Sequence, residues 1–242
     1  INNGIDLAGE GGMVWIKNRL NGGSFTNHAI VDSERIGSYG YKSIYSNLTE
    51  AEFSPGADSN AVVTSFNSNG FTRGGNANVS NGDNVSWTFR KAPGFFDVVT
   101  YTGNGSSQTI AHDLGSEPGF IMVKRYSSSE DWICYHRSLG QAKGLQLNST
   151  NTEIPSIYFW NNTQPTSTHF SVGSHGRTNT NGENYVAYIF AHDDQSFGTN
   201  GDESIIKCGS FTVTSGSFTV DLGFEPQWVM IKRSSGGTAS WV

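Results

Sequence analysis

The sequence predicts an all-β protein built from tandem antiparallel β-sandwich units, jelly-roll-like in type and about 105 residues each. Three observations predict this class. The 242 residues include 30 Gly and are rich in Ser, Asn and Thr, which favour tight turns, while only 15% are charged. Short apolar runs recur at a spacing of roughly 10 residues with turn residues between them, and long helical periods are missing. The 12% of aromatic residues supply enough apolar surface for a folded core.

The unit length comes from segments that occur more than once. The sequence DLGSEPGFIMVKR at 113–125 returns as DLGFEPQWVMIKR at 221–233, 108 positions later, and a looser copy lies at 6–17. The residues at 81–89 are matched in the same order by those at 181–190. Repetition at this spacing indicates units of domain size rather than the rungs of a solenoid.

These matches divide the chain into three parts. We predict a first β-sandwich unit over 1–112, a second over 113–220, and the start of a third, incomplete unit over 221–242. So short a third piece buries too little apolar surface to offset the entropy of its own ordering. We therefore expect that it either opens a further domain or adds strands to a neighbouring unit or subunit.

Each unit reads as strands separated by turns. Three runs closed by Lys or Lys-Arg are predicted as central strands, because continuous apolar runs are typical of strands buried on both faces. Asn-Gly pairs at 81–82 and 181–182 are strong hairpin signals, since both residue types tolerate a positive φ. The predicted strands lie at 13–17, 28–31, 61–66, 85–90, 120–125, 132–135, 185–190 and 228–233.

Composition and motifs exclude several function classes. The net charge of −6 leaves no basic stripe for nucleic acid, and no apolar run approaches the roughly 18 residues that cross a bilayer. We expect no membrane insertion and no nucleic-acid partner. The motifs of Ser hydrolases, nucleotide-binding loops and zinc proteases do not occur, so we predict that the chain is not an enzyme. Cys134 and Cys208 are predicted to be unpaired thiols.

Aromatic residues next to amide and basic side chains are the candidate ligand-binding groups. Exposed aromatic rings stack on sugars, and neighbouring polar groups bind the sugar hydroxyls. The alternative is that Trp132 and Tyr135 alternate along a strand and pack in the core, and the spacing leaves both interpretations open. The candidate residues are Trp132, Tyr135, His136, Arg137, Tyr158, Trp160 and Asn161.

Four acidic residues are candidate calcium ligands, and no other cofactor is expected. Asp193 and Asp194 are followed after about ten residues by Asp202 and Glu203, and calcium prefers carboxylate oxygens. A solvated acidic loop is the alternative interpretation of the same residues.

The segments at 119–125, 131–140, 158–163 and 185–191 resemble a repeat module of structural proteins of marine bacteriophages, cyanophages among them. The module is found chiefly in tail-fibre-like or appendage proteins. The resemblance implies a homo-oligomer, with a trimer favoured, that is assembled in the host bacterial cytoplasm and displayed on the virion surface. Its implied partners are other virion proteins and a host cell-surface glycan or receptor. A capsid decoration or cement protein and a lectin-like secreted carbohydrate-binding module are the alternatives, and no catalytic residues come with the resemblance.

Overall fold

A computed structural model describes residues 1–19, 27–57, 60–80, 82–213 and 216–242. The elements in these ranges are fourteen strands and three single-turn helices, which confirms the all-β prediction. In chain order they are α1 (Leu7–Glu10), β1 (Gly12–Asn18), β2 (His28–Gly37), β3 (Gly40–Tyr45), β4 (Val63–Asn67), β5 (Gly70–Arg73), α2 (Ala77–Ser80), β6 (Asn84–Arg90), β7 (Phe96–Thr102), β8 (Gln108–Ala111), β9 (Phe120–Arg125), β10 (Ile133–His136), β11 (Lys143–Gly144), β12 (Ile154–Pro155), β13 (His169–Val172), α3 (Gly176–Asn179) and β14 (Asn184–Phe190).

Two four-stranded antiparallel sheets form the body of the protein. The first sheet has the order β3-β2-β1-β6, and the second has the order β10-β9-β14-β7. Three two-stranded sheets accompany them, β4-β5, β8-β13 and β11-β12. The order β2-β1-β6 in the first sheet matches β10-β9-β14 in the second, so the strands with similar sequences occupy similar places.

The two large sheets pack face to face, because alternate residues of each strand point to opposite sides. On β1, Met13 and Trp15 join a central core between the sheets, whereas Val14 and Ile16 join an outer core beneath β4 and β5. The second sheet likewise has its own outer core, which includes Phe170 of β13. Each large sheet thus has an outer core of its own, and the two sheets share a third core between them.

The boundary between the units lies earlier than the predicted one. Strand β7 pairs along its whole length with β14, and β8 pairs with β13. Both strands therefore belong to the second sheet system, and the change from one unit to the next falls between Arg90 and Phe96 rather than after residue 112. Pairing decides the boundary here, because Phe96 and Val98 are buried in the central core, which residues of both sheets share.

The residues at 221–242, called the C-terminal segment below, form no named strand, in contrast to the strand predicted at 228–233. They contact both sheet systems and place Trp228, Met230 and Trp241 against the central core. Of the two predicted Asn-Gly turns, Gly182 lies between α3 and β14 with φ +78°, and Asn81 lies outside the described residues.

Candidate functional site

The structure places three of the predicted ligand-binding aromatics inside the protein. Trp132 is 0% exposed in the central core, and its Nε1 donates a hydrogen bond to the Tyr45 carbonyl at 3.0 Å. Tyr135 and Trp160 are 0% and 1% exposed in the outer core of the second unit and meet edge to face. Burial raises the pKa of Tyr135 to about 12. Protein atoms cover the ring faces of all three residues. Trp132 and Tyr135 therefore pack in the core, which is the alternative that their spacing left open.

The other predicted binding residues lie nearer the surface. Tyr158 is 58% exposed, and Arg137 and Asn161 are also exposed. His136 is half-buried, and its pKa is lowered by burial and then by Arg137. Asn161 has a positive φ of 51°, a conformation that Asn tolerates better than most residues.

The candidate calcium ligands are not gathered into a site. Among the described residues, no group of three or more His, Cys, Asp or Glu side chains is placed to hold a metal ion. Asp193 instead lies 3.6 Å from the ammonium of Lys207, and Glu203 pairs through its backbone with Phe197.

One loop of the first unit supplies several hydrogen bonds to the second unit, in addition to the shared central core. We call residues 45–52 the first acceptor loop, because its carbonyl groups accept hydrogen bonds from the second unit. The Tyr45 carbonyl accepts from Trp132 Nε1, and the Thr49 carbonyl accepts from Lys124 Nζ at 3.0 Å and from the Glu130 amide at 2.8 Å.

The loop also donates one backbone hydrogen bond in return. The amide of Glu52 donates to the Tyr126 carbonyl at 2.9 Å. Lys124 is fully buried, and burial together with Arg125 lowers its pKa to about 8. Three carbonyl groups, those of Thr49, Arg125 and Glu130, accept from its ammonium.

The C-terminal segment contacts the second unit in the same way. We call residues 146–153 the second acceptor loop. The Gln146 carbonyl accepts from Trp241 Nε1 at 2.8 Å, and the Ser149 carbonyl accepts from Lys232 Nζ at 3.0 Å. Lys232 Nζ also donates to the Ala239 carbonyl, and its pKa is lowered by burial.

The backbone bonds recur as well. The Ala239 amide donates to the Thr150 carbonyl at 2.9 Å, and the Glu153 amide donates to the Ser234 carbonyl at 3.0 Å. Ser234 follows the Lys-Arg pair at 232–233 as Tyr126 follows the pair at 124–125. Two successive interfaces are thus built from equivalent Trp, Lys and backbone groups.

A cleft opens where the C-terminal segment meets both units. Its volume is about 470 Å³. Trp15 and Trp228 lie with ring centroids 6.4 Å apart, and Trp15 Nε1 is a buried donor with no hydrogen-bond partner among the described residues. The lining includes four of the six tryptophans and several polar residues, namely Trp15, Trp87, Trp228, Trp241, His28, Ser46, Asn47, Asn148 and Ser149.

Most amide groups of the cleft are already engaged. Asn148 Oδ1 accepts from the Trp132 amide, and its Nδ2 donates to Asp131. Asn47 Oδ1 accepts from the His28 amide at 2.9 Å. His28 has its pKa lowered to about 4, by burial and then by Lys17, and is therefore neutral near pH 7. The cleft offers a ligand aromatic faces and few free polar groups.

Sequence reasoning missed this cleft, because its parts come from three distant regions of the chain. Trp15 and Trp87 each look like an ordinary strand residue, and they meet only because β1 pairs with β6. The available signal was the repeat itself, which places Trp228 and Met230 where Phe120 and Met122 lie in the second unit.

The comparisons with known proteins add a family and no activity. A family model described as a domain of unknown function (DUF7483) matches residues 4–242. No curated protein and no solved structure matches the chain. Among the described residues there is no helix long and apolar enough to cross a membrane.

Proposed function

We propose that this chain, which belongs to the DUF7483 family of domains of unknown function, is a non-enzymatic structural protein whose β units dock head to tail. The observation that carries the proposal is the reuse of one interface. Trp132 Nε1 binds the Tyr45 carbonyl, and Trp241 Nε1 binds the Gln146 carbonyl. An interface between two different surfaces of a repeated unit is heterologous, and such contacts add units in series.

A virion is the setting that we propose for such a protein. The resemblance of its repeat to modules of marine bacteriophage proteins points to a tail fibre or appendage on the virion surface, with other virion proteins as neighbours. The proposed oligomer is a trimer of this chain. The low charge and the turn-rich composition suit a rigid β array that holds its shape outside a cell.

The docking part of the proposal is tested on the full chain by limited proteolysis. Trp241→Phe removes the indole N–H that the Gln146 carbonyl accepts, and one such hydrogen bond contributes about 1 kcal/mol. We expect trypsin to cleave after Lys232 and Arg233 about fivefold faster in this variant. Trp87→Phe is the matched control, because Trp87 lies outside both acceptor-loop contacts. Equal cleavage rates in the two variants would refute the docking role.

The virion part is tested separately. Immunogold electron microscopy of phage particles that carry this chain is expected to label the tail or its appendages. Label spread evenly over the capsid would favour a decoration protein instead, and absence from the particle would refute a structural role in the virion.

Host-surface glycan adhesion is a second candidate function, and the tryptophan cleft favours it. The tryptophan rings that line the cleft, whose volume is about 470 Å³, provide faces on which a sugar can stack. Trp15 Nε1, which has no hydrogen-bond partner in the described part of the chain, offers a donor for a sugar hydroxyl. Tyr158 and Asn161 are the competing site, since both are exposed.

A glycan array with two variants separates these sites. If the cleft binds the sugar, Trp87→Ala is expected to lower the signal at least tenfold, while Tyr158→Ala leaves it unchanged. The reverse result would assign adhesion to the Tyr158 surface. If the unmodified chain binds no glycan on the array, the adhesion function is refuted, and the proposed docking role is unaffected.

A further inference from the structure

The C-terminal segment is buried on one side only. Its Trp228 and Met230 pack against the central core, but the alternating residues Val229 and Ile231 are 52% and 38% exposed, and Val242 is 79% exposed. The residues at the matching positions of the second unit are Ile121, Val123 and Ile133, and all three are 0% exposed. An apolar face that is closed in one unit is therefore open in the segment.

The same segment has one paired and one unpaired backbone edge. Ile231 exchanges two hydrogen bonds with Val242, at 2.7 and 3.1 Å. The pair Val123 and Ile133 lies in the same register between β9 and β10. Successive residues of an extended chain direct their backbone groups to opposite edges, so those of Met230 and Lys232 face the other way.

That second edge is covered in both complete units. Strand β6 pairs with β1 there, and β14 pairs with β9 in the register Met122 to Tyr188 and Lys124 to Val186. Among the described residues, no backbone hydrogen bond of Met230 or Lys232 occupies the corresponding edge. The open edge, at Met230 and Lys232, and the open apolar face, at Val229 and Ile231, thus lie on the same short stretch of chain.

We propose that this edge binds one β-strand of the β14 type, contributed by a further copy of the repeat. The inference rests on the proposed head-to-tail docking and names the partner of the C-terminal segment. Strand addition suits the site because main-chain hydrogen bonds supply affinity and alternate side chains supply specificity. A strand like β14 has the required pattern, with Tyr185, Ala187 and Ile189 on the outer-core side and Val186, Tyr188 and Phe190 on the central-core side.

The chemistry of the two faces selects this partner. On one face Val229, Ile231 and Val242 require small and aliphatic side chains, as Ala187 and Ile189 provide against Ile121 and Val123. On the other face Trp228 lies where Phe120 meets Phe190 in the second unit, with ring centroids 5.8 Å apart. A polar peptide would leave the open face of Val229, Ile231 and Val242 uncovered.

The test uses the full chain labelled with ¹⁵N and a synthetic peptide of residues 183–191. We expect the peptide to slow hydrogen exchange of the Met230 and Lys232 amides at least tenfold. The Ile231 amide should change little, because it already donates to Val242. The control peptide carries Val186→Pro, which removes the amide donor that the register with Lys124 places on this edge and fixes φ, and it should give no protection.

Two variants of the chain complete the test. Val229→Asp places a charge on the open face and is expected to abolish peptide binding, while Val229→Thr retains it. Both variants should fold normally, because Val229 is largely exposed without the peptide. No protection by a peptide at about 1 mM, or equal protection by the proline peptide, would overturn the proposal. Such a result would leave the Trp241 proteolysis result unaffected, so failure of the strand site and failure of the docking role are distinguishable.

Discussion

The hydroxyl group of Tyr188 on β14 donates a hydrogen bond to Oδ2 of Asp32 on β2, across the interface between the two sheets. The same Oδ2 accepts from Arg35 Nη2 at 2.6 Å and from its Nε at 2.9 Å. All three side chains are at most 3% exposed. A buried charge pair destabilises a protein unless its groups are fully hydrogen-bonded, and here the second unit completes the hydrogen bonding of a pair in the first.

Removing that hydroxyl group should weaken the junction. We expect Tyr188→Phe to lower the free energy of unfolding by about 1.5–3 kcal/mol, the usual contribution of a hydrogen bond to a charged group. Tyr101→Phe is the matched control, because Tyr101 donates to a neutral carbonyl, that of Thr178, at 2.7 Å, and should cost about 1 kcal/mol. Urea unfolding followed by circular dichroism measures both. Equal losses would contradict the special role of the Asp32 contact.

Acid should destabilise the protein through its histidines. His28 has a pKa of about 4 in the folded chain, so between pH 6.5 and 4 the unfolded chain binds a proton that the folded chain does not. Stability contributed by neutral His28 is therefore complete above pH 6.5 and is lost as the pH falls towards 4. Burial also lowers the pKa of His112, His136, His175 and His192.

The contribution of His28 can be separated with one variant. After allowance for its partial exposure, we expect about 1–2 kcal/mol more loss between pH 7 and 4 in the unmodified chain than in His28→Gln. Denaturant midpoints at several pH values measure the difference. Parallel pH profiles for the two proteins would show that His28 titrates normally.

Both thiols should resist alkylation in the folded protein. Burial raises the pKa of Cys134, and it raises that of Cys208 to about 12 while Arg137 lowers it slightly. The thiolate is the reactive species, so at pH 8 Cys208 should react about a thousandfold more slowly than a free thiol. Iodoacetamide labelling with mass spectrometry gives the rates, and the unfolded chain in urea should take up two labels. Fast labelling of native Cys208 would mean that the segment around it opens readily.

One glycine should be intolerant of any side chain. A Cβ atom on Gly103 would lie 2.2 Å from the Thr180 carbonyl oxygen, in the turn that leads into β14. We expect Gly103→Ala to cost about 1–3 kcal/mol, as overpacking does elsewhere. Gly209→Ala is the control, because a Cβ atom there meets nothing within 4 Å and the change should stay within about 0.5 kcal/mol. Thermal unfolding of both variants decides between steric conflict and a general effect of losing glycine.

The strands that the sequence predicts well are those whose pattern is local. Continuous apolar runs such as those at 120–125 and 185–190 identify β9 and β14, because both of their faces are buried in separate cores. The all-β class follows from the same patterns. The duplication of units stays an inference from sequence, supported by the matching order of strands in the two sheets.

What the sequence could not predict depends on partners far away in the chain. Strand β7 follows the first unit directly, and only its pairing with β14 assigns it to the second. Trp132 resembles an exposed binding residue in a polar stretch, yet the Tyr45 carbonyl that its indole binds lies 87 residues earlier. Likewise the cleft tryptophans become a group only when three regions of the chain meet.

The recurring docking contact bears on how such a chain can lengthen. The second unit carries a loop that accepts and, elsewhere, a Trp and a Lys that donate, so a newly duplicated copy of it would bring both halves of its next joint with it. No new complementary surface has to arise by mutation. The number of units is then limited by the space around the central core, because each further sheet must pack against it.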